Sequence, residues 1–403
     1  MTTAVLNRFP LALVDYPTWV DDDVVMVTSR DALSHPLDLS AYRDVAVVDD
    51  YMSARTCLIL ERLIHQHGCN ALVALSEFDL LRAARLRDAN DMTGPTLAQT
   101  LPYRDKLLMK EVLHDAGIPV ARFAPVNEFT ELLAFWRDIQ GPVVVKPRLG
   151  ASSIGVTVLR TGTDLEEYCR SVGALKGDDP AYLLAEEFID NEMFNIDGIS
   201  MNGAMHICWP SGTSSCLGFE SGQLLIASQL DTDDERVPVL QGLVRDTVAA
   251  LPSHDRMIFH AEAFRSPDGH YLLNEIGARI GGAKVRELVS RGFGTDPVEW
   301  YVREAFGVGM SLGGLPDAPF RPHAYCLVPP RPGRVLEIDP TLFSSRDGLD
   351  SIELRVEVGD TLISPGSSID GMALVVTHGD SCQEASSVAE AVAEDIRAKV
   401  RVE

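Results

Sequence analysis

Short apolar runs separated by polar turns dominate the first hundred residues. Val24-Val25-Met26-Val27, Val45-Ala46-Val47-Val48 and Ala71-Leu72-Val73-Ala74-Leu75 have the length and composition of buried strands. Ala54 to Gln66, between the last two, has the polar–apolar spacing of a helix. Strands alternating with helices predict a parallel sheet with helices on both faces. No G-x-G-x-x-G follows the first strand, so a dinucleotide-binding fold is disfavoured. The pattern changes after residue 104. Asp105 can cap a helix carrying Lys106 and Lys110, Gly117 can close it and Pro119 stops it. Lys110, one turn on from Lys106, reads as ordinary surface charge. Past residue 310, Gly313-Gly314-Leu315-Pro316-Asp317-Ala318-Pro319 reads as a linker. Strands are expected over 321–328, 334–338, 352–358, 361–363 and 373–377, and a final helix aligns Val388, Val392, Ile396 and Val400 on one stripe.

Between these regions lie the segments with chemical content. Val143-Val144-Val145 is a strand ended by Lys146-Pro147, and Val156-Thr157-Val158-Leu159 is a return strand. The turn between them, Gly150-Ala151-Ser152-Ser153-Ile154-Gly155, is built of small residues that let backbone N–H groups approach phosphate oxygens. It resembles half a P-loop, but Val156 stands where the P-loop lysine belongs, which argues against a Walker-type NTPase. Tyr182-Leu183-Leu184-Ala185-Glu186-Glu187-Phe188-Ile189 is an apolar strand running into paired acids. Its end can offer backbone groups to a flat base, while an acid takes an amino or hydroxyl hydrogen.

Phe259-His260-Ala261-Glu262-Ala263-Phe264 and Tyr271-Leu272-Leu273-Asn274-Glu275-Ile276 flank the turn Ser266-Pro267-Asp268-Gly269, as in a hairpin. Counting back from the turn sets Glu262 opposite Glu275. Like charges so placed repel unless a cation lies between them, and Mg²⁺ favours carboxylates plus nucleotide phosphates. Arg279 follows four residues later in GARIGG. Exposed strand glutamates, or a Glu–Arg salt bridge, would explain the same residues without any ligand. His206, Trp209 and residues 211–215 fall between the base and metal elements; they suit an acceptor pocket, and a turn with core packing explains them equally well.

In this order, these pieces resemble the ATP-grasp superfamily of ATP-dependent carboxylate–amine ligases. The resemblance covers roughly residues 100–290, starting from D-K-x-x-x-K at Asp105-Lys106 and A-G-I-P at Ala116-Gly117-Ile118-Pro119. It implies an α/β (α+β) architecture: an N-terminal parallel domain over 1–103, a lead-in helix over 104–119, a lid over 120–187, a catalytic domain over 188–310 and a β-rich subdomain over 311–403. It implies that Lys106 and Lys146 hold the nucleotide phosphates, with the loop residues Ser152, Ser153 and Gly155 above them. Glu186, the Glu187 carbonyl and the Ile189 amide would meet adenine, and Glu192 the ribose. Glu262 and Glu275 would bind magnesium, two ions with manganese able to replace them, and Arg279 would contact phosphate or the substrate carboxylate. Glu275, Lys146 and Arg279 are thus the expected catalytic groups. The chain departs from the family at Met193, where many members place the ribose glutamate. It departs again after Glu275, where many read E-x-N. Its E-I-x-x-R-x-G-G form is similar to the L-amino-acid (dipeptide) ligase branch. The expected reaction joins an amino acid to an amino acid or small amine through an acyl phosphate. Alternatives are a biotin-carboxylase-like carboxylation and a non-catalytic ATP-binding regulatory module. The family leaves room for a homodimer.

Composition narrows the partners. The 403 residues suffice for two or three domains, and 46% hydrophobic with 23% charged residues is ordinary for a globular chain. A formal charge of −24 disfavours nucleic acid and anionic membranes. The seven cysteines form no C-x-x-C pair and are expected as reduced thiols. No run approaches the roughly 20 apolar residues of a membrane helix, so a cytoplasmic protein is expected.

Overall fold

The computed structural model describes residues 2–20, 23–33, 39–171, 182–190, 192–214, 218–367 and 370–403. It is built on four sheets. The first contains β1 (Thr3–Asn7), β2 (Val24–Ser29), β3 (Asp44–Val48) and β4 (Ala71–Ala74), all parallel in the order β3-β2-β1-β4. The helix Ala54–His67 crosses between β3 and β4 and buries Leu60, Leu63 and Ile64 against Leu6, Val25 and Val27. Strand β1 is central and wholly buried, yet its sequence, TAVLN, has polar residues at both ends. The Asn7 end is satisfied internally: Asn7 donates to Thr28 Oγ1 at 3.0 Å and accepts from the Tyr16 hydroxyl at 3.1 Å, whereas Thr3 Oγ1 has no hydrogen-bond partner among the described residues.

The second sheet is antiparallel and contains β5 (Phe123–Val126), β6 (Val143–Pro147), β7 (Thr157–Leu159) and β8 (Leu183–Glu187) in the order β5-β8-β6-β7. It packs a core of its own, including Val126, Leu132, Phe135, Val143, Val145 and Leu165, beneath the helices Phe129–Ile139 and Gly162–Ser171.

The largest sheet has eight strands: β9 (Met193–Met201), β10 (Ala204–Thr213), β11 (Leu225–Gln229), β12 (Arg256–Arg265), β13 (Tyr271–Gly277), β14 (His323–Val328), β16 (Leu349–Leu354) and β18 (Ala373–His378). Its order is β13-β12-β9-β10-β11-β14-β18-β16. A small sheet of β15 (Gly333–Ile338), β17 (Thr361–Leu362) and β19 (Val400–Val402) adjoins it. The expected boundary near residue 311 does not interrupt the large sheet, although the strands beyond it share a second core with the helix Cys382–Lys399. Two expected elements shift here. The strand placed over 352–358 lies at Leu349–Leu354, where its residues pair with β18, and Val400 leaves the final helix to open β19. Trp209 is a core residue whose Nε1 donates to Leu230 O at 3.1 Å, and His206 is exposed. Core packing thus accounts for Trp209; Ser215 lies outside the described residues. Among the described residues, the cysteines are free and no helix is long and apolar enough to cross a membrane.

Candidate active site

The edge of the large sheet, the lid sheet and the helix Lys106–Asp115 meet over a buried ionic cluster. The helix begins as expected: Asp105 accepts from the Leu107 and Leu108 amides at 3.1 and 3.4 Å. Its Lys106 and Lys110 are i, i+4 neighbours, so both ammonium groups leave the same face. Lys106 Nζ lies 3.0 Å from Glu275 Oε2 and donates to Gly150 O at 2.8 Å. Lys110 is fully buried, 3.2 Å from Glu186 Oε1. Its reading as surface charge is therefore wrong: the helix face that presents Lys106 to the site presents Lys110 one turn deeper.

Lys146, at the end of β6, points to the same place. Its Nζ is 2.9 Å from Glu186 Oε2 and donates to Asn274 Oδ1 at 3.2 Å. Glu186 thus has one lysine on each oxygen. Burial alone would raise the pKa of its carboxyl, but Lys110 and Lys146 outweigh burial and hold it low. For Lys110 burial wins and depresses the ammonium's pKa, whereas around Lys146 the carboxylates of Glu186 and Glu275 outweigh burial and raise it.

The hairpin of β12 and β13 brings Glu262 directly opposite Glu275, the register counted from the turn. Asn274 is the residue that this count missed. Glu262 pairs with Glu275 but Ala263 pairs with Leu273, so Asn274 is the extra residue of a β-bulge. A bulge re-aims side chains that would otherwise alternate between faces. Asn274 thereby donates to Glu262 Oε2 at 2.8 Å while accepting from Lys146. An E-x-N spacing is absent, yet an amide reaches the acidic pair from the preceding position. Burial raises the Glu275 pKa, but Lys106 and Lys146 dominate and bring it down to about 2. The carboxyl is therefore ionised at neutral pH. Behind Glu262, His260 Nδ1 lies 2.7 Å from Asp197 Oδ1, which overcomes burial and pushes the imidazole up to about 9.

Arg279 is half-buried beside the cluster. Its Nε is paired with Glu77, which also pairs with Arg104, and its Nη1 donates to Ile280 O at 2.9 Å. Glu77 follows β4, at the carboxyl end of the parallel sheet, where ligands of open α/β sheets gather. That position was the available signal for it, and Glu77 was not among the expected residues. The small-residue turn curls over the cluster. Ser152, Ser153 and Gly155 adopt left-handed backbone, with φ of 57°, 60° and 76°. Arg104 donates to Leu149 O at 2.8 Å, so two cations of the cluster anchor the start of the turn. Glu187 is the last residue of β8 and Ile189 lies two residues beyond. Glu192 is set apart from the cluster: its carboxylate, 42% exposed, pairs with Arg236 at 3.4 Å and Arg265 at 3.1 Å.

Among the described residues no three His, Cys, Asp or Glu side chains converge as a self-sufficient metal site. The donor set nevertheless suits Mg²⁺, which characteristically takes one or two carboxylates and completes its shell with water and substrate phosphate. Glu262 and Glu275 would supply those oxygens.

Comparison with known proteins finds relatives in sequence and in fold. Residues 325–401 match the model for L-amino acid ligase C-terminal domain 2. The chain is 25% identical over 336 residues, 80% of its length and 79% of the other's, to the L-arginine-specific L-amino acid ligase of Bacillus subtilis. It is 26% identical over 274 residues, 65% of this chain and 56% of the other, to N5-carboxyaminoimidazole ribonucleotide synthase of Mycobacterium tuberculosis. The solved structure of L-amino acid ligase from Bacillus licheniformis superposes with a TM-score of 0.77 over 98% of this chain and 97% of that one, at 19% identity. The biotin carboxylase domain of Hydrogenobacter thermophilus 2-oxoglutarate carboxylase, solved with MgADP, ADP and bicarbonate, gives 0.71 over 100% and 90% at 17% identity. Over most of its length the chain is similar in sequence and in fold to L-amino acid ligases.

Proposed function

We propose that this ATP-grasp protein joins the carboxylate of an amino acid to the amine of a second amino acid or small amine, releasing ADP and phosphate. The observation that carries the reading is the clustering of Lys106, Lys146, Glu186, Glu262 and Glu275 on separate elements, with the ladder setting the two acids opposite each other. In this reading Lys106 and Lys146 bind the phosphates of ATP beneath the turn carrying Ser152, Ser153 and Gly155. Glu186, the Glu187 carbonyl and the Ile189 amide meet adenine, and Glu192 is the proposed ribose ligand. Glu262 and Glu275 would hold Mg²⁺, which when bound neutralises charge on the transferring phosphoryl group.

Arg279, held in place by Glu77, orients the substrate carboxylate so that its oxygen attacks the γ-phosphorus in line. The product is an acyl phosphate. The amine then attacks its carbonyl carbon, and the tetrahedral oxyanion collapses with loss of phosphate. Positioned cations suit both stages, because negative charge develops on the phosphoryl oxygens and then on the oxyanion. No side-chain nucleophile is required.

The test is ADP release from panels of amino acids supplied singly and in pairs, with a bicarbonate arm. A ligase releases ADP in step with amide product and needs both substrates. Release that depends on bicarbonate would instead support carboxylation, the chemistry named for the biotin carboxylase neighbour. Tight ATP binding without turnover in any arm would support a regulatory module.

A further inference from the structure

Lys110 has no place in the mechanism just described, and its burial requires a reason. It is fully buried on the inner face of its helix, and among the described residues its ammonium is paired with one carboxylate oxygen, Glu186 Oε1. The contact is ionic; neither atom has a hydrogen-bond partner among the described residues. Such an arrangement is expensive. Buried ion pairs commonly cost more in lost hydration than they return, and an apolar pair of similar size is often at least as stable. Stability alone therefore does not account for a lysine here.

The arrangement of charge around Glu186 does. In the free protein the carboxylate has two cations, Lys146 on Oε2 and Lys110 on Oε1. On the reading that Lys146 serves the phosphates, nucleotide binding draws Lys146 away from Glu186. A carboxylate that is 3% exposed and left without a counter-ion would take up a proton. The change matters for base recognition. An ionised carboxylate only accepts hydrogen bonds, which suits the 6-amino group of adenine and opposes the 6-oxo group of guanine. A protonated carboxyl also donates, and can satisfy guanine. We infer that Lys110 is a positioning residue for base selection, keeping Glu186 ionised while Lys146 engages phosphate, so that the site takes adenine and rejects guanine. The inference rests on the proposed reading that the base lies against Glu186.

The experiment measures the Kd of ATP and of GTP, each with Mg²⁺, for the full-length protein and for Lys110→Met, Lys110→Gln, Lys110→Arg and Glu186→Gln. The inference expects Glu186→Gln to lower the preference for ATP over GTP by at least about tenfold, which corresponds to about 1.4 kcal/mol. Lys110→Met should lower it similarly, Lys110→Arg should restore most of it, and Lys110→Met added to Glu186→Gln should change it no further. Lys110→Gln serves the same purpose should the methionine variant not fold. If Glu186→Gln loses the preference while both neutral Lys110 variants keep it, Lys110 is only a packing element and the inference is overturned, whatever happens to melting temperature. If Glu186→Gln itself keeps the preference, the base is not read at Glu186 and both the base assignment and the inference drawn from it fail.

Discussion

Replacing Glu275 by glutamine removes a charge while keeping the shape of the side chain, and the structure sets the size of two separate effects. The first is on stability. Glu275 titrates at about 2 instead of its ordinary 4.5, a difference equivalent to about 3 kcal/mol at 1.36 kcal/mol per unit. A lowered carboxylate pKa contributes stability above the unfolded value, near pH 4.5, that is lost as pH falls toward 2. At neutral pH the substitution therefore forfeits up to about 3 kcal/mol. That figure is a net one and already contains any repulsion from Glu262 across the ladder, so a loss of up to about 3 kcal/mol, a few degrees in melting temperature, is expected.

The second effect is on function. With one of the two opposed carboxylates gone, the phosphoryl transition state loses a preorganised charge partner, and ADP formation should fall by roughly 10²–10³. Nucleotide should also protect less well against heating. A ligand at about 100 times its Kd stabilises by about 2.7 kcal/mol, and tenfold weaker binding removes about half of that. Assays of ADP release and of melting with and without a non-hydrolysable ATP analogue, at ordinary Mg²⁺, separate the two. A variant that melts lower but turns over within about threefold of the parent would show that Glu275 is only a counter-ion for Lys106, and the metal assignment would be refuted.

Lys146→Ala should weaken ATP binding by about 10–100-fold, the value of a charge-assisted contact of roughly 1.5–3 kcal/mol, while Lys399→Ala, on the C-terminal helix, serves as control; equal affinities would remove Lys146 from the phosphate site. His260, pushed up to about 9 from 6.5, lends stability that is complete below about pH 6.5 and lost as pH rises through about 9. The parent protein should accordingly lose more melting temperature than His260→Gln between about pH 6 and pH 10, and parallel profiles would sink that reasoning. Amides 151–155 should exchange quickly in the free protein and slowly with ATP analogue and Mg²⁺, since this turn is anchored mainly at Leu149 and Gly150; equal protection in both states would mark a rigid hairpin.

Local patterns made much of this site legible, and non-local geometry hid the remainder. The facing of Glu262 and Glu275 could be counted from a turn because antiparallel register is set by turn geometry. Asn274 could not be counted, because the bulge that turns it inward is an irregularity of pairing with no residue signature of its own. Glu77 follows a strand of a different sheet, 202 residues before Arg279, and the packing of the N-terminal domain against the large sheet brings the two together. Lys110 was the avoidable error. Spacing of i, i+4 places it on the face of Lys106, and a helix face that supplies one residue to a buried site rarely returns to solvent within a turn. Strand β1 was missed because polar residues at its ends break the apolar run, although both are buried.

The ion pairs of the free protein also bear on why nucleotide and metal would bind together. Every cation proposed to meet phosphate is already held by a carboxylate: Lys106 by Glu275, Lys146 by Glu186, and Arg279 by Glu77. Without those partners, two buried lysines and a half-buried arginine would bear desolvation costs with no ligand to offset them. Binding then becomes an exchange of partners. Phosphate that takes Lys106 leaves Glu275 without its cation, directly opposite Glu262, and two carboxylates so placed require a divalent ion between them. A metal ion arriving first would displace the Lys106 ammonium toward the phosphates' position. Each ligand thus removes the obstacle to the other, which is positive coupling by linkage, reciprocal in the two affinities. Glu186 is the exception in this exchange, since no metal is proposed to take the place of Lys146 beside it, and among the described residues Lys110 is the remaining cation paired with it.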